Sequence, residues 1–429
     1  MSAPRVDGAR LVRRLDELAA VSAGGPGVTR LAYSAHDVAA RELVAGWMAQ
    51  AGLRVEVDAV GNLIGRRSGT AGLPAVLATG SHLDTVIEAG PLDGAYGVVA
   101  AVEVAAALDT AGLSLRHDLA VIAFSNEEGA RGTPGMVGSL AITGQLTGAQ
   151  LAEPDDEGIS LADRIAAAGG DPAGIACAAW PPGSLAGFLE LHVEQGPVLH
   201  RSGMPIAVVS GITGRATLDA TVSGTANHAG TTPMDARHDA AVAAALVVLA
   251  VQDLAGPQGV RVATTGALRL EPGVRNVVAG RATVGIDLRD LDDARITAAI
   301  ERLRREAARI AAQTGTTVEV RPRSAVPAVV ADPRLAGCVR DASEQCGLAR
   351  LELPSGAGHD AQVMARLGPI GMVFTPSIAG VSHAPAEATA PEHLVAGADV
   401  LCRALLLADA RLPAPAGLSP QPRGPEESP

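Results

Sequence analysis

Aromatic side chains and cysteines are scarce in this sequence. It has three Phe, two Tyr and two Trp among 429 residues, although hydrophobic residues make up 48% of the chain. Ala, Val and Leu must therefore fill most of the core. The four cysteines, Cys177, Cys338, Cys346 and Cys402, are scattered without a CxxC pair. This spacing excludes a disulfide-dense secreted scaffold and favours free thiols in the reducing cytoplasm.

Long apolar runs and an excess of positive charge are also missing. No stretch approaches the roughly 18 uninterrupted apolar residues of a membrane span, so we expect none. The N-terminal segment carries charges throughout and lacks the apolar core of a signal peptide. The chain has 34 Lys and Arg against 46 Asp and Glu, a formal net charge of −12. That balance argues against nucleic acid or an anionic membrane as a partner.

The order of predicted elements indicates two domains in an α/β protein. Strands alternate with helices through residues 1–210 and 329–410, which predicts a largely parallel sheet covered by helices on both faces. Residues 211–328 instead follow the order βαββαβ, which is typical of a ferredoxin-like α+β fold. We expect this segment to be an inserted domain. Residues 411–429 are rich in Pro and poor in apolar side chains, which predicts a disordered tail.

The most informative stretch joins a predicted strand to two polar loops. An apolar run at residues 75–79 leads to His82 and Asp84, and Asp93 follows in the next loop. His82 then lies at a strand end, where α/β enzymes place their chemistry. In an extended segment His82 and Asp84 point to the same side, so the Asp84 carboxylate can orient a metal-binding imidazole. A strand followed by a plain polar turn is the alternative for these residues alone.

Two further predicted strands carry polar groups. One runs directly into Glu127 and Glu128, where one carboxylate can ligate a metal ion while the other takes a proton from water. A solvated loop is the alternative reading of that pair. The other strand places Glu190, His192 and Glu194 on one face. Because that face is too polar for an ordinary core, we expect it to line a cleft.

These segments and a later loop supply five side chains of metal-ligating type, namely His82, Asp93, Glu128, His192 and His383. Each is expected at the end of a strand or in the loop after it. Nitrogen and carboxylate ligands without thiolates suit zinc, and manganese, cobalt or nickel also fit. A bridging Asp93 would leave His82 and His192 for one ion. Glu128 and His383 would then hold a second. Two such ions activate water and polarise a carbonyl group, so the set predicts a hydrolase.

Nine motifs, in order, resemble those of the hydantoinase/carbamoylase family of dinuclear-zinc amidases, within the clan of zinc aminoacylases and carboxypeptidases. They are GSHLDTV, GPLDGAYGVVAAVEV, NEEGARG, LELHVEQGPVL, TANHAGTTPMDARHDA, NVVAG, DLRD, SGAGHDA and SHAPAE. The resemblance implies a dinuclear-metal exopeptidase-like catalytic domain with an inserted lid and dimerisation domain. At one point the sequence departs from the family, because Gly132 stands where relatives have an aromatic residue. A roomier local pocket would follow.

The resemblance also implies roles for individual residues. It implies two divalent metal ions on the five ligands above, with Glu127 as the general base. The residues implied to hold the substrate are Gln195, His228, Asn276, Arg289 and Gly358. His228 would also stabilise an oxyanion, and it is implied to act across a homodimer interface formed by the inserted domain. Without the family pattern, His228 and Asn276 also fit ordinary loop positions.

The implied reaction is hydrolysis of the carbamoyl amide of a small ureido carboxylate. N-Carbamoyl-L-amino acids are the favoured substrates, with allantoate, ureidoglycine and 3-ureidopropionate as alternatives. A dipeptidase or aminoacylase is the next alternative, which His192 and Gln195 disfavour. A catalytically silent small-molecule binding protein is the alternative from another class. The presence of all five ligands and of Glu127 argues against it.

Overall fold

The computed structural model describes residues 4–413, which fall into two compact units. The larger unit runs to Ser210 and resumes at Ala331, and the smaller unit is Gly211–Val330. From residue 414 onward, the tail predicted to be disordered lies outside the described residues. Within residues 4–413, no helix has the length and apolar character needed to cross a membrane.

The described residues form strands and α-helices in the following order. The strands are β1 (Arg54–Val57), β2 (Leu63–Arg67), β3 (Val76–His82), β4 (Asp118–Phe124), β5 (Leu185–Val193), β6 (Ile206–Ile212), β7 (Gly214–Ser223), β8 (Asn227–His228), β9 (Val262–Glu271), β10 (Val277–Val278), β11 (Arg281–Asp290), β12 (Thr317–Val326), β13 (Val329–Val330), β14 (Arg350–Ser355) and β15 (Ile370–Thr375). The helices are α1 (Gly8–Ala19), α2 (Ala35–Gln50), α3 (Ala95–Thr110), α4 (Val137–Ile142), α5 (Gly148–Ala152), α6 (Leu161–Ala167), α7 (Val198–Ser202), α8 (Ala240–Gln252), α9 (Asp293–Thr314), α10 (Pro333–Gln345), α11 (Asp360–Met364) and α12 (Pro391–Arg411).

The main sheet has a parallel centre and antiparallel margins. Its strands lie in the order β1-β2-β4-β3-β5-β15-β6, and β14 also pairs with β6. β3 is parallel to β4 and β5, and β5 is parallel to β15. The pairs β1-β2, β2-β4 and β15-β6 are antiparallel. The parallel centre agrees with the sequence prediction, whereas the β1-β2 hairpin and strand β6 were not predicted.

The core of the larger unit is built from small aliphatic side chains. Every residue of α3 from Ala95 to Leu108 is buried, and the helix packs against β3, β5 and α12. The charge of Glu103 inside this helix is paired with Arg10 at 2.8 Å and with Arg14 at 2.7 Å. Because both carboxylate oxygens have partners, the helix remains buried without an unpaired charge.

The smaller unit has the βαββαβ order predicted for residues 211–328. β7, α8, β9, β11, α9 and β12 follow one another along the chain, with β8 and β10 as a separate two-stranded sheet. The four long strands are antiparallel in the order β12-β7-β11-β9, as in a ferredoxin-like fold. Alternate residues of β7 and β11 are buried with the apolar faces of α8 and α9.

Candidate metal centre

The predicted ligands of the larger unit lie at one edge of the main sheet. β3 ends at His82, and the loop after β4 carries Glu127 and Glu128. His192 is the last residue but one of β5, and His383 lies in the loop that follows β15. Because these four strands run parallel, their carboxyl ends meet at the same edge. Chain segments far apart in sequence thus reach one place.

The first donor group consists of His82, His192 and Asp93, all buried. Nε2 of His82 lies 3.4 Å from Oδ1 of Asp93, and Nε2 of His192 lies 3.2 Å from the same oxygen. Each ring points its Nδ1 at a backbone carbonyl oxygen, that of Asp84 or Val193, at 2.9 Å. The Nδ1 protons are therefore used by the backbone, and the Nε2 lone pairs face a carboxylate. This arrangement calls for a positive charge between the nitrogen and oxygen atoms.

The second donor group uses the other oxygen of Asp93. Nε2 of His383 lies 3.1 Å from Oδ2 of Asp93 and 3.4 Å from Oε1 of Glu128. Oε1 of Glu128 is buried and accepts no hydrogen bond from residues 4–413. Within each group the candidate ligand atoms lie within 4.8 Å of one another. The donor set, with a shared carboxylate and an orphaned oxygen, therefore fits a pair of divalent cations.

The electrostatics of the centre favour bound cations. Burial raises the pKa of Glu127 well above its ordinary range and raises that of Glu128 to about 7. Burial opposes a positive charge on His82, but the nearby carboxylates, Glu127 foremost, outweigh it and raise the pKa of this imidazole. Buried carboxylates that resist ionisation regain it beside a cation, so metal binding and ionisation support each other.

Asp84 supports the centre differently from the sequence prediction. The Asp84 carboxylate lies 4.0 Å from Nδ1 of His82, too far for a hydrogen bond. The imidazole is oriented instead by the backbone carbonyl oxygen of Asp84. The carboxylate instead accepts hydrogen bonds from the amides of Glu127 at 3.1 Å and Glu128 at 3.2 Å. Because β3 ends at His82, the alternation of the strand does not extend to Asp84, and the Asp84 side chain reaches the loop after β4.

Gln195 lies in the larger unit beside Asp93. Its Nε2 donates to Oδ2 of Asp93 at 2.7 Å, and its Oε1 is buried with no hydrogen-bond partner in the part of the chain that the structure describes. Its backbone has a φ of 58°, which is uncommon for a residue other than glycine and marks a constrained position. Gly358 is exposed in the loop between β14 and α11, directly before the buried His359.

The other predicted substrate residues lie in the smaller unit. His228 and Asn276 are exposed and adjacent, since the amide of Ala229 donates to the Asn276 carbonyl oxygen at 2.9 Å. Arg289, on β11, forms a two-pronged ion pair with Asp287. Its Nε donates to Oδ1 at 2.8 Å and its Nη2 to Oδ2 at 3.1 Å. The sequence prediction did not include Asp287.

The polar face predicted for β5 is divided, since His192 belongs to the first donor group and the two glutamates bind protein groups. Glu190 is completely buried, and its carboxylate accepts from Ser81 Oγ at 2.8 Å and from the Ala361 amide at 3.0 Å. Glu194 follows the strand and accepts from the amides at the start of α7, at 2.8 and 2.7 Å. The prediction was wrong for these two glutamates, because both carboxylates find partners in the protein.

Two buried residues near the centre were missed, although the motifs contain them. The His359 ring packs edge-on against His192 with 4.7 Å between ring centroids. Burial lowers the pKa of His359 well below its usual value, so it contributes a neutral ring. Glu387 contacts the segment that carries Asp93. Both belong to motifs that resemble the family, SGAGHDA and SHAPAE, and that membership was the available signal.

Gly132, the position that departs from the family, has a local structural reason to be glycine. Its φ is +80°, and a Cβ there would lie 2.4 Å from Oδ1 of Asp156. An aromatic side chain would therefore require this loop to change its path.

Comparison with known proteins identifies the family. The profile described as peptidase family M20/M25/M40 matches residues 78–407. The crystal structure of an amidase of the hydantoinase/carbamoylase family from Burkholderia multivorans matches with a TM-score of 0.88 and 37% identity, over 95% of this chain and 99% of that one. The chain belongs to this amidase family. The α/β fold class and the family resemblance inferred from the motifs are thus confirmed, whereas the lid and dimerisation roles of the inserted domain stay predictions.

Two proteins similar to this amidase have names that describe their activities. An N-carbamoyl-L-amino acid amidohydrolase from Geobacillus stearothermophilus is 40% identical over 397 residues, which cover 92% of this chain and 97% of the relative. An allantoate deiminase from Arabidopsis thaliana is 35% identical over 407 residues, which cover 88% of this chain and 78% of the relative. The amidase is therefore a hydrolase of carbon–nitrogen bonds other than peptide bonds, in a metal-dependent family.

Proposed function

We propose that this amidase hydrolyses N-carbamoyl-L-amino acids and releases the amino acid, carbon dioxide and ammonia. The observation that carries the proposal is the carboxylate of Asp93, which is shared by two groups of nitrogen and oxygen donors. The name of the Geobacillus relative, 40% identical over 92% of this chain, supports a carbamoyl amino acid as the substrate.

The proposal includes two divalent ions, with zinc, manganese, cobalt and nickel all suited to the donors. His82 and His192 would hold one ion, Glu128 and His383 the other, and Asp93 both. When bound, such ions lower the pKa of water and polarise a carbonyl group. The absence of thiolate donors from both groups supports these metals over softer ones.

Glu127 is the proposed proton carrier. Its carboxylate is nearly buried, and burial raises its pKa, so it holds a proton more readily than an exposed glutamate does. Glu127 takes a proton from the attacking water and passes it to the terminal nitrogen of the substrate, which leaves as ammonia. The carbamate that remains loses carbon dioxide to give the amino acid.

Different residues are proposed to recognise the two ends of the substrate, its carbamoyl group and its carboxylate. Nε2 of Gln195 donates to Asp93, and its Oε1 is a buried acceptor. A carbamoyl N–H of the substrate would donate to this oxygen. Arg289, whose Nε and Nη2 pair with Asp287, is the proposed anchor for the substrate carboxylate, as the family resemblance implies. The family resemblance supports the remaining assignments, with His228 donating to the oxyanion and Asn276 and Gly358 contacting the substrate.

Allantoate is the second candidate substrate, since the Arabidopsis allantoate deiminase is 35% identical to this chain. We would compare kcat/KM for N-carbamoyl-L-alanine, allantoate and L-alanyl-L-alanine with the manganese-loaded protein. We expect the carbamoyl amino acid to have the highest value. A higher value for allantoate would replace the proposed substrate within the same reaction class. Cleavage of the dipeptide alone would reject the carbamoyl reaction.

A homodimer through the smaller unit is also proposed. β9 is an edge strand that is largely exposed, and α8 has no charged residue from Ala240 to Gln252. Val242, Leu249 and Leu268 on these elements are 53–58% exposed. An unpaired edge strand beside an apolar helix can bind the same surface of a second copy around a two-fold axis.

The oligomeric state tests this interface. We expect the wild-type protein to sediment as a dimer and Leu249→Glu to shift it toward monomer. Val57→Glu is the matched control, because Val57 is 59% exposed on β1, the edge of the main sheet, and Leu249 is 58% exposed. A dimer that withstands Leu249→Glu but dissociates with Val57→Glu would reject the assignment to the smaller unit.

A cytoplasmic location completes the proposal. The four cysteines, all within the described residues, are free thiols. Free thiols are typical of a reducing compartment and support this location.

A further inference from the structure

Glu387 is a buried carboxylate that holds the chain segment leading to Asp93. It is 4% exposed. Its Oε2 accepts hydrogen bonds from two consecutive amides, that of Leu92 at 2.8 Å and that of Asp93 at 3.1 Å. Two backbone donors on one oxygen fix the path of the chain at Asp93, and with it the point from which the Asp93 side chain starts.

The loop around Asp93 is shaped to receive this carboxylate. A Cβ at Gly90 would lie 2.2 Å from Cβ and 2.3 Å from Oε2 of Glu387. The position therefore admits only glycine while Glu387 keeps its place. The motif GPLDG is explained in this way, since its first glycine makes room for Glu387 and its aspartate is the shared donor.

The same carboxylate reaches the segment that carries His383. Oε1 of Glu387 lies 2.8 Å from Oγ of Ser382, which also lies 2.9 Å from Oδ2 of Asp93. His383 follows Ser382 and has a φ of 54°, a conformation that needs support from its surroundings. The amide of Glu387 closes this loop by donating to the Ala384 carbonyl oxygen at 3.0 Å.

We propose that Glu387 is a positioning residue that holds Asp93 and His383 in register for the metal ion assigned to Asp93, Glu128 and His383. The inference rests on the proposed two-metal centre and extends it. Glu387 would act through Asp93 and Ser382 and would touch neither substrate nor metal.

The other donor group depends on Glu387 only through the shared Asp93. His82 and His192 are each fixed by a backbone carbonyl oxygen at 2.9 Å, on strands of the main sheet. Removal of Glu387 should therefore weaken one ion much more than the other. A general structural role would weaken both ions together.

The test is a metal titration of the full-length protein stripped of metal, with Co²⁺ or Zn²⁺ in competition with a chromophoric chelator. We expect Glu387→Ala to bind the ion of Asp93, Glu128 and His383 about 10- to 100-fold more weakly, and to weaken the other ion, which shares only Asp93, by a clearly smaller factor. Glu387→Gln should recover most of the affinity, because its amide oxygen can still accept from the amides of Leu92 and Asp93.

Asp409→Asn is the matched control. Asp409 also accepts from two consecutive amides, those of Arg116 and His117, at 2.9 to 3.0 Å, but it belongs to neither donor group. We expect this variant to lose stability and to keep both metal affinities. Equal loss of both ions in Glu387→Ala, or of none, would overturn the inference.

The same metal titration of Ser382→Ala provides a second test if Glu387→Ala does not fold. It removes the hydroxyl that lies between the carboxylates of Glu387 and Asp93 and keeps the hydrogen bond from the Asp93 amide to Glu387. We expect it to weaken mainly the ion of Asp93, Glu128 and His383. Unchanged affinity for both ions would overturn the inference while leaving the two-metal proposal in place. A wild-type protein that binds fewer than two ions would refute the two-metal centre itself.

Discussion

His82 donates from Nδ1 to the backbone carbonyl oxygen of Asp84 at 2.9 Å, while the Asp84 carboxylate binds the amides of Glu127 and Glu128. Asp84→Asn keeps the carbonyl group but loses one of the two side-chain acceptors. We expect kcat to fall about 10- to 100-fold with metal affinity near that of the wild type. Steady-state kinetics and a metal titration check this. The expectation would be contradicted if Asp84→Asn lost the ion held by His82 while the protein that still binds metal kept its kcat.

Glu127→Gln removes the proposed proton carrier without changing the size of the side chain. Because glutamine cannot accept the water proton, we expect kcat to fall about 100- to 10,000-fold. Glu127 belongs to neither donor group, so both ions should remain bound. Kinetics with metal analysis of the same sample provide the measurement. Near-normal turnover with both metals bound would remove Glu127 from its assigned role.

Arg289→Ala should mainly raise KM for substrates that carry a carboxylate. Charge-assisted hydrogen bonds are worth about 1.5–3 kcal/mol, so we expect a rise of about 10- to 100-fold. Arg321 is the control, because it also forms an ion pair with a carboxylate two residues away on its own strand, from its Nε to Glu319 on β12, but is more exposed than Arg289. Arg321→Ala should leave KM unchanged. Equal effects of both substitutions would argue against a carboxylate anchor at Arg289.

The parts of the centre that follow local patterns could be predicted from the sequence. An apolar strand ending in a histidine marked His82 and His192, and parallel strands bring such ends together. The βαββαβ order of the smaller unit was also visible, because its helices contain no Gly or Pro and its strands β7 and β11 alternate between buried and more exposed residues. The short strand β2 was missed. It has only five residues and contains Gly65, so its pattern is too weak to distinguish from a loop.

The supporting contacts could not be predicted, because their partners are far apart in sequence. Glu190 appeared to belong to a polar strand face, yet Ser81 and Ala361, which bind its carboxylate, lie 109 and 171 residues away. Asp84 appeared to face the same side as His82, but its carboxylate binds an amide 43 residues away. Strand alternation gives the face of a side chain and says nothing about the loop that covers it.

Asp409 provides a pH-dependent contribution to stability away from the metal centre. Burial alone would raise its pKa, but hydrogen bonds from His117 and the amide of Arg116 outweigh burial and lower it. A lowered carboxyl pKa stabilises the fold above the unfolded value of about 3.9, and this stability is lost as the pH falls through the folded pKa. We expect Asp409→Asn to cost about 1–3 kcal/mol at neutral pH.

Urea unfolding from pH 7 to pH 3 measures this contribution. The difference in free energy of unfolding between wild type and Asp409→Asn should be constant above about pH 5 and shrink below about pH 4. A difference that persists unchanged through the acid range would mean that the charge of Asp409 contributes nothing.

Ammonia release is the most direct measurement of a metal-dependent carbamoyl amidase. The zinc- or manganese-loaded protein would be incubated with an N-carbamoyl-L-amino acid, with and without a chelator. We expect ammonia and the free amino acid in equal amounts, abolished by the chelator and restored by added metal. Release that the chelator leaves intact, or no release from protein holding two ions per chain, would contradict the proposed function.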